Sequence, residues 1–364
     1  MSAAIDHALA ALGRDDAAPR FAVTLDAGGP AVRFGRGSLG EAGVFDRLAR
    51  PVGLVASAGR LAGARAAGLD LGDAIVFADI QPHATDELIA RASEALAGAR
   101  AVVAIGGGSA IGIGKAVAAA RGAELVAVAT TYSGSELTML YGVTRERTKA
   151  VRRDARALPR AVVYDPALTD DLPARAGAAS LMNCLAHLLE CGWNDAPDGP
   201  VRAIAHAGTR QIGGGLEACA AGDADAARDR LMAAGMCGGL ALASGRIGLH
   251  HAICHAVGGL TGASHGEING VVLPAAMRAL APRTEDAQEA LVAPFRGDDA
   301  APEPPHATVA RLRDRWGLPS SLREVGLAAS DMGSVVRQVQ GHANSQGDLA
   351  LTDAQLTTLL GETW

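Results

Sequence analysis

The sequence predicts an α/β domain built on a doubly wound, Rossmann-like parallel sheet, followed by an all-α domain. In the first half, short apolar runs alternate with helical patterns, and after Tyr164-Asp165-Pro166 only helix-periodic segments and turns follow. The 364 residues also exceed what a single hydrophobic core usually serves. The runs Val52–Ser57, Ala74–Ile80, Ala101–Ile105, Leu125–Ala129 and Ala161–Tyr164 read as strands buried on both faces, as in parallel sheets covered by helices. Between them Asp86–Ala97 carries the apolar spacing of a helix. Beyond Pro166 and Pro173, which punctuate the chain, Ala174–Gly192, Val201–Ala221, Ala226–Ser244, Leu249–Val257 and Ala307–Trp316 read as helices. The expected division is an Ala-rich extension over 1–18, an α/β domain over 19–166, and a helical domain over 167–364. Arg296–Pro305 reads as a surface loop.

Composition narrows the function classes. Hydrophobic residues make up 49% and charged residues 20%, the mix of a core-forming globular protein. The net charge of −6 comes without a basic block, which argues against nucleic acid and anionic membrane surfaces as partners and leaves a small molecule. An odd set of cysteines (Cys184, Cys191, Cys219, Cys237, Cys254) lacks zinc-finger spacing and fits reduced thiols in a cytoplasm. No run of about 20 apolar residues is present.

Three motifs carry chemistry. The apolar run from Ala101 enters Gly106-Gly107-Gly108-Ser109, and a helix opens near Ala110. Glycines let backbone amides approach a phosphate, and the helix amino end adds partial positive charge, so a pyrophosphate belongs here. The spacing is neither G-x-G-x-x-G nor Walker A. Downstream, Thr130, Thr131, Tyr132 and Ser133 follow the next strand, at the sheet edge where open α/β sheets hold ligands. Finally, Asn183 and His187 share a helix face at four-residue spacing, as do His251 and His255, while His265 returns after a glycine-rich loop over Gly258–Gly262. Three imidazoles and an amide oxygen can surround a divalent cation. A neutral amide in place of a carboxylate weakens such a site, and the imidazoles then serve as proton donors.

These segments, with Leu158–Thr169, Met182–His187 and Leu249-His250-His251-x-x-Cys254-His255-x-x-Gly258-Gly259, resemble the iron-containing alcohol dehydrogenase superfamily and are most similar to its maleylacetate reductase branch. The likeness runs from about Phe34 to Pro274. It implies a dehydroquinate synthase-like architecture with a cleft between the domains, and a homodimer. It also implies NADH or NADPH held by Gly106, Gly107, Gly108, Ser109, Thr130, Thr131, Ser133 and Ser57, with His187, His251, His255 and His265 as catalytic groups. An Fe or Zn ion would lie among Asn183, His187, His251 and His265. The activity implied is reduction of a small oxo acid, maleylacetate to 3-oxoadipate, with Tyr132, Lys149, Arg153, Arg246 and Asn269 as candidate substrate contacts. Alternatives are reduction of another ketone, aldehyde or unsaturated oxo acid, a dehydroquinate-synthase-like lyase, and a cofactor-binding protein without catalysis. The chain departs from the branch at Ser264–Asn269, at Arg246 and at Asn344-Ser345-Gln346. The segment Ser57-Ala58-Gly59-Arg60 lacks the acidic residue that would repel a 2′-phosphate, so NADPH is expected to be tolerated.

Overall fold

A computed structural model describes Ala10 and residues 21–25, 29–41, 43–82, 84–145, 148–297, 301–341 and 351–364. Apart from Ala10, the expected extension over 1–18 lies outside the described residues, as do Asn344, Ser345 and Gln346. The strands in chain order are β1 (Phe21–Thr24), β2 (Ala31–Phe34), β3 (Val52–Val55), β4 (Ile75–Phe77), β5 (Ala101–Gly106), β6 (Glu124–Ala129), β7 (Leu140–Arg145), β8 (Thr148–Arg153) and β9 (Ala161–Tyr164). Among the described residues seven of them form one sheet in the order β1-β2-β9-β6-β5-β3-β4, and β7 and β8 form a separate hairpin. All neighbours in the large sheet are parallel except β1 and β2.

The pattern of β5 explains why it reads as a continuous apolar run. Val102 and Ala104 turn to a core shared with Leu125, Ala127, Tyr164 and the helical half of the chain. Ala101, Val103 and Ile105 face the other way, against Leu54, Val126 and Val128. Both faces are covered, so alternation of polar and apolar residues disappears. From β3 the chain moves outward to β4, then returns past β3 to β5 and continues to β6 and β9. The winding direction therefore reverses between β3 and β5. Beyond the carboxyl ends of strands at such a reversal lies the crevice in which doubly wound sheets bind ligands.

The helices are α1 (Ala58–Ala66), α2 (Asp86–Ala95), α3 (Gly108–Arg121), α4 (Ala174–Trp193), α5 (Pro200–Ala220), α6 (Ala224–Ser244), α7 (Leu249–Thr261), α8 (His265–Val292), α9 (Pro305–Arg315), α10 (Met332–Gly341) and α11 (Asp353–Thr363). Local chemistry sets their ends. Thr85 caps α2 by accepting from Leu88 N at 3.1 Å, and Gly122, at φ +64°, ends α3. Two expectations need correction. Gly258 and Gly259 are helical, and the chain turns only at Gly262, in the left-handed region. The 28-residue α8 was unforeseen because it contains Pro274 and Pro282, which read as breakers. No single helix among the described residues is long and apolar enough to cross a membrane.

The two halves touch backbone to backbone. Gly134 has φ +74°, and a Cβ there would lie 2.5 Å from Gly239 N on α6. Beside this contact α4 holds the same loop twice. Tyr132 N donates to Ser180 Oγ (2.9 Å), and Asn183 Nδ2 donates to the Ser133 carbonyl (3.2 Å).

Candidate active site

β5 delivers Gly106 and Gly107 to the amino end of α3. Gly106 sits at φ +150° and its carbonyl accepts from Thr130 N at 3.1 Å, while Gly107 is the helix N-cap. A Cβ on Gly107 would lie 2.9 Å from Thr131 Cγ2, so the turn closes only with glycine there. Gly108 faces open space, and no acidic residue occupies the first helical turn. Free amides and the helix dipole therefore present partial positive charge to whatever enters.

A cleft of about 650 Å³ begins at Gly108 and Ser109, passes Thr131, Ser133 and Asn183, and ends at His187, His251, His255 and His265. Helix periodicity explains this convergence. Ser180, Asn183 and His187 lie three and four residues apart on one face of α4, and His251 and His255 lie four apart on α7. His265 opens α8. Ring centroids separate His187 from His251 by 4.9 Å, His251 from His265 by 5.9 Å, and His255 from His265 by 5.3 Å.

Glu190, one turn beyond His187, supplies what the sequence reading missed. It is fully buried, accepts from His250 N at 2.9 Å through Oε1, and receives His251 Nδ1 on Oε2. Burial pushes its carboxyl up, but the electrostatic pull of His251 beside it and the hydrogen bonds from His250 and His251 outweigh this and hold it below the usual carboxylate range. An ionised Glu190 accepts from the Nδ1–H of His251 and fixes the ring's orientation, so that ring meets the cleft through its Nε2 side. For His187, burial followed by the positive charges of neighbouring imidazoles lowers the pKa well below the ordinary value. Its ring is neutral at pH 7, and its Nδ1 is buried without a hydrogen-bond partner. Glu190→Gln is expected to lower kcat by about 10–100-fold, the cost of losing a partner that orients a working histidine. The KM for the nicotinamide cofactor that the family resemblance implies should stay within about twofold, since Glu190 touches the histidines and not the glycine turn. Steady-state kinetics checks both, and an unchanged kcat removes the orienting role.

Several expected residues stand elsewhere. Thr130 is buried behind the turn, and Ser57 stands at the N-cap position of α1, at the carboxyl end of β3 beside the winding reversal, and neither lines the cleft. Tyr132 is buried at 5% exposure, and its hydroxyl bonds Thr169 rather than facing the cleft. Asn269 lies one layer back, with its Nδ2 donating to Asn183 Oδ1 at 2.8 Å. Arg153 and Arg246 are exposed and do not line the cleft. Lys149 lies on β8, and its side chain is outside the described residues.

Fit for the two implied groups differs. A dinucleotide suits a cleft with free amides at one end and imidazoles at the other. For a divalent ion, one group of ligating atoms among the described residues comes within 4.8 Å, that of Glu190, His250 and His251. Those atom types could hold an ion, but the carboxylate there is already taken by the His250 amide and His251. The expected set of Asn183, His187, His251 and His265 brings no negative charge, and both ends of the Asn183 amide are committed, to Ser133 and Asn269. That donor set lacks the carboxylate that would strengthen a divalent-cation site, while its three imidazoles, one of them oriented by Glu190, are ordinary ligands for such an ion.

Comparison with known proteins shows the family. Residues 30–166 match the iron-containing alcohol dehydrogenase model, and residues 177–362 match the model for the C-terminal part of the Fe-containing alcohol dehydrogenase family. The maleylacetate reductase of Burkholderia cepacia is 39% identical over 256 residues, covering 69% of this chain and 71% of that protein. That of Pseudomonas knackmussii is 37% identical over 275 residues, covering 73% and 70%. The crystal structure of maleylacetate reductase from Agrobacterium tumefaciens superposes with a TM-score of 0.79 at 28% identity, over 94% of this chain and 98% of that one. The chain is an oxidoreductase and belongs to the iron-containing alcohol dehydrogenase family.

Proposed function

We propose that the chain reduces maleylacetate to 3-oxoadipate with NADPH or NADH. One observation carries the reading: a single cleft joins the glycine turn to the four imidazoles. The amides of Gly107, Gly108 and Ser109 would hold the pyrophosphate, and Thr131 and Ser133 would flank the rest of the cofactor. When bound, the nicotinamide supplies a hydride to the alkene carbon that bears the substrate's carboxylate. The electron pair of the double bond then moves toward the conjugated ketone and develops negative charge on its oxygen. His251, carrying a proton on each ring nitrogen with Nδ1–H on Glu190, would donate a hydrogen bond from Nε2 to that oxygen, and neutral His187 beside it would add a second donor without adding charge. His255 and His265, half-exposed where the cleft meets solvent, pass a proton to the carbon next to the ketone. No step requires an ion.

Arg60 does not select a 2′-phosphate, since its guanidinium is taken by Asp171 and the Leu168 carbonyl. Both reduced cofactors are therefore substrates. A second reading keeps the hydride chemistry and changes the acceptor to another ketone, aldehyde or unsaturated oxo acid. It is favoured by the absence of any arginine among the described residues lining the cleft. The homodimer rests on the family likeness alone. The test is oxidation of NADPH and NADH by protein dialysed against EDTA, with maleylacetate and a panel of other carbonyl compounds, and metal content measured in parallel. Rapid oxidation with maleylacetate by metal-free protein supports the proposal. Turnover of another carbonyl alone moves it to the second reading, no turnover of any carbonyl rejects both, and restoration only by added Fe or Zn rejects the ion-free mechanism.

A further inference from the structure

Lys115 is a charged side chain that this reaction leaves unused. It lies two turns into α3, is fully buried, and borders the cleft. Its Nζ donates to the carbonyls of Ser135, Thr138 (2.7 Å) and Leu140 (2.9 Å), and lies 3.1 Å from Thr138 Oγ1. That hydroxyl also donates to the Ser135 carbonyl at 2.9 Å, bracing the same turn. Four oxygens thus surround one nitrogen, the arrangement by which protein carbonyls replace the hydration shell of a monovalent cation. Burial pushes the ammonium down to about 7, opposed by the nearby Glu136, while the four oxygens favour its charged form. Glu136 is itself buried and tied to Tyr164 Oη (2.8 Å) and Ser133 Oγ (3.3 Å).

The segment so gripped is a wall of the cleft, in which Ser135, Thr138 and Leu140 all face the cavity. Apart from one short turn over Ser135–Leu137 it has no regular structure before β7. Inward-turned carbonyls without donors are costly, so the loop keeps this shape only while a cation sits among them. We propose that Lys115 is a positioning residue: its ammonium is a tethered cation that locks the Ser135–Leu140 wall to the helix whose amino end receives the pyrophosphate. The catalytic consequence rests on the function proposed above. With its donors spent on the loop, Lys115 sets the width of the cleft and takes no part in proton transfer.

Lys115→Ala removes both stem and charge and leaves room for a free ammonium ion. Expected is a rise in the KM for NADPH of at least about tenfold with kcat falling less than about threefold, as the wall moves rather than the reacting groups. Ammonium chloride should restore the KM saturably, and tetramethylammonium chloride at equal ionic strength should not, having no N–H to donate. Hydrogen exchange of the peptide spanning 134–142 should quicken in the variant and slow again with ammonium. A parental KM in Lys115→Ala, or a loss that ammonium does not repair, overturns the proposal. If Lys115→Ala does not fold in either salt, Thr138→Val decides, since it deletes one of the four oxygens and keeps the lysine. A raised NADPH KM at an unchanged melting temperature supports the lock, and an unchanged KM overturns it. Exchange needs no cofactor, so failure of the parent chain to bind NADPH would sink the functional reading while the 134–142 peptide still judges Lys115.

Discussion

His251→Asn is expected to lower turnover of maleylacetate with NADPH by about 10³-fold, within the range for loss of a positioned acid–base group. The choice of Asn follows from Glu190. Its Nδ2 takes the place of His251 Nδ1 and still donates to the buried carboxylate, while nothing replaces the Nε2 side that meets the cleft. Alanine would withdraw that partner from a carboxylate with no exposed surface, a change that costs about 3–5 kcal/mol and confuses lost chemistry with lost folding. NADPH affinity should be retained, because the glycine turn at the other end of the cleft is untouched. Single-turnover kinetics and a fluorescence titration of NADPH separate the two quantities. Turnover within tenfold of the parent would take His251 out of the reaction.

Gly107→Val is expected to weaken NADPH by at least about 100-fold, which is about 2.7 kcal/mol. A Cβ at this position would lie 2.9 Å from Thr131 Cγ2 and 3.0 Å from its Oγ1, and valine adds two methyl groups beyond it. Either Thr131 leaves the cleft wall or the turn shifts, and in both cases the amides at the amino end of α3 lose their approach to a phosphate. Because Gly107 is far in sequence and function from the imidazoles, kcat at saturating NADPH should change much less than KM. Isothermal titration with NADPH reads the affinity directly, and a dissociation constant equal to the parent's removes the phosphate assignment.

What could be read from the sequence was whatever depends on near neighbours. β5 and β6 are apolar on both faces, so their runs stand out, and the glycines after β5 are visible as a turn chemistry. Paired histidines at four-residue spacing define a face before any partner is known. Glu190 left a signal as well, since it is the lone carboxylate between Leu181 and Trp193 on an apolar helix. Its meaning depends on α7 arriving some 60 residues later, as the His250 N to Glu190 contact shows (|i−j| = 60). The β7–β8 hairpin was missed because Thr148–Arg153 is rich in cations and pairs with a strand that faces a cavity rather than a core. Arg153 and Arg246 are cations close in sequence to segments that line the cleft, and their absence from its lining shows only in the folded chain. Lys115 went unassigned for the converse reason: a lysine on an Ala/Gly helix gives no hint of which carbonyls it will meet.

The contact between Gly134 and Gly239 sets how closely the two halves approach. Main chain lies on main chain there, and two hydrogen bonds from α4 stand beside it. A side chain at either glycine would push the loop after β6 away from α6, and with it Ser133 away from Asn183. The glycine turn and the histidines therefore share one cleft because two residues at the seam carry no side chain.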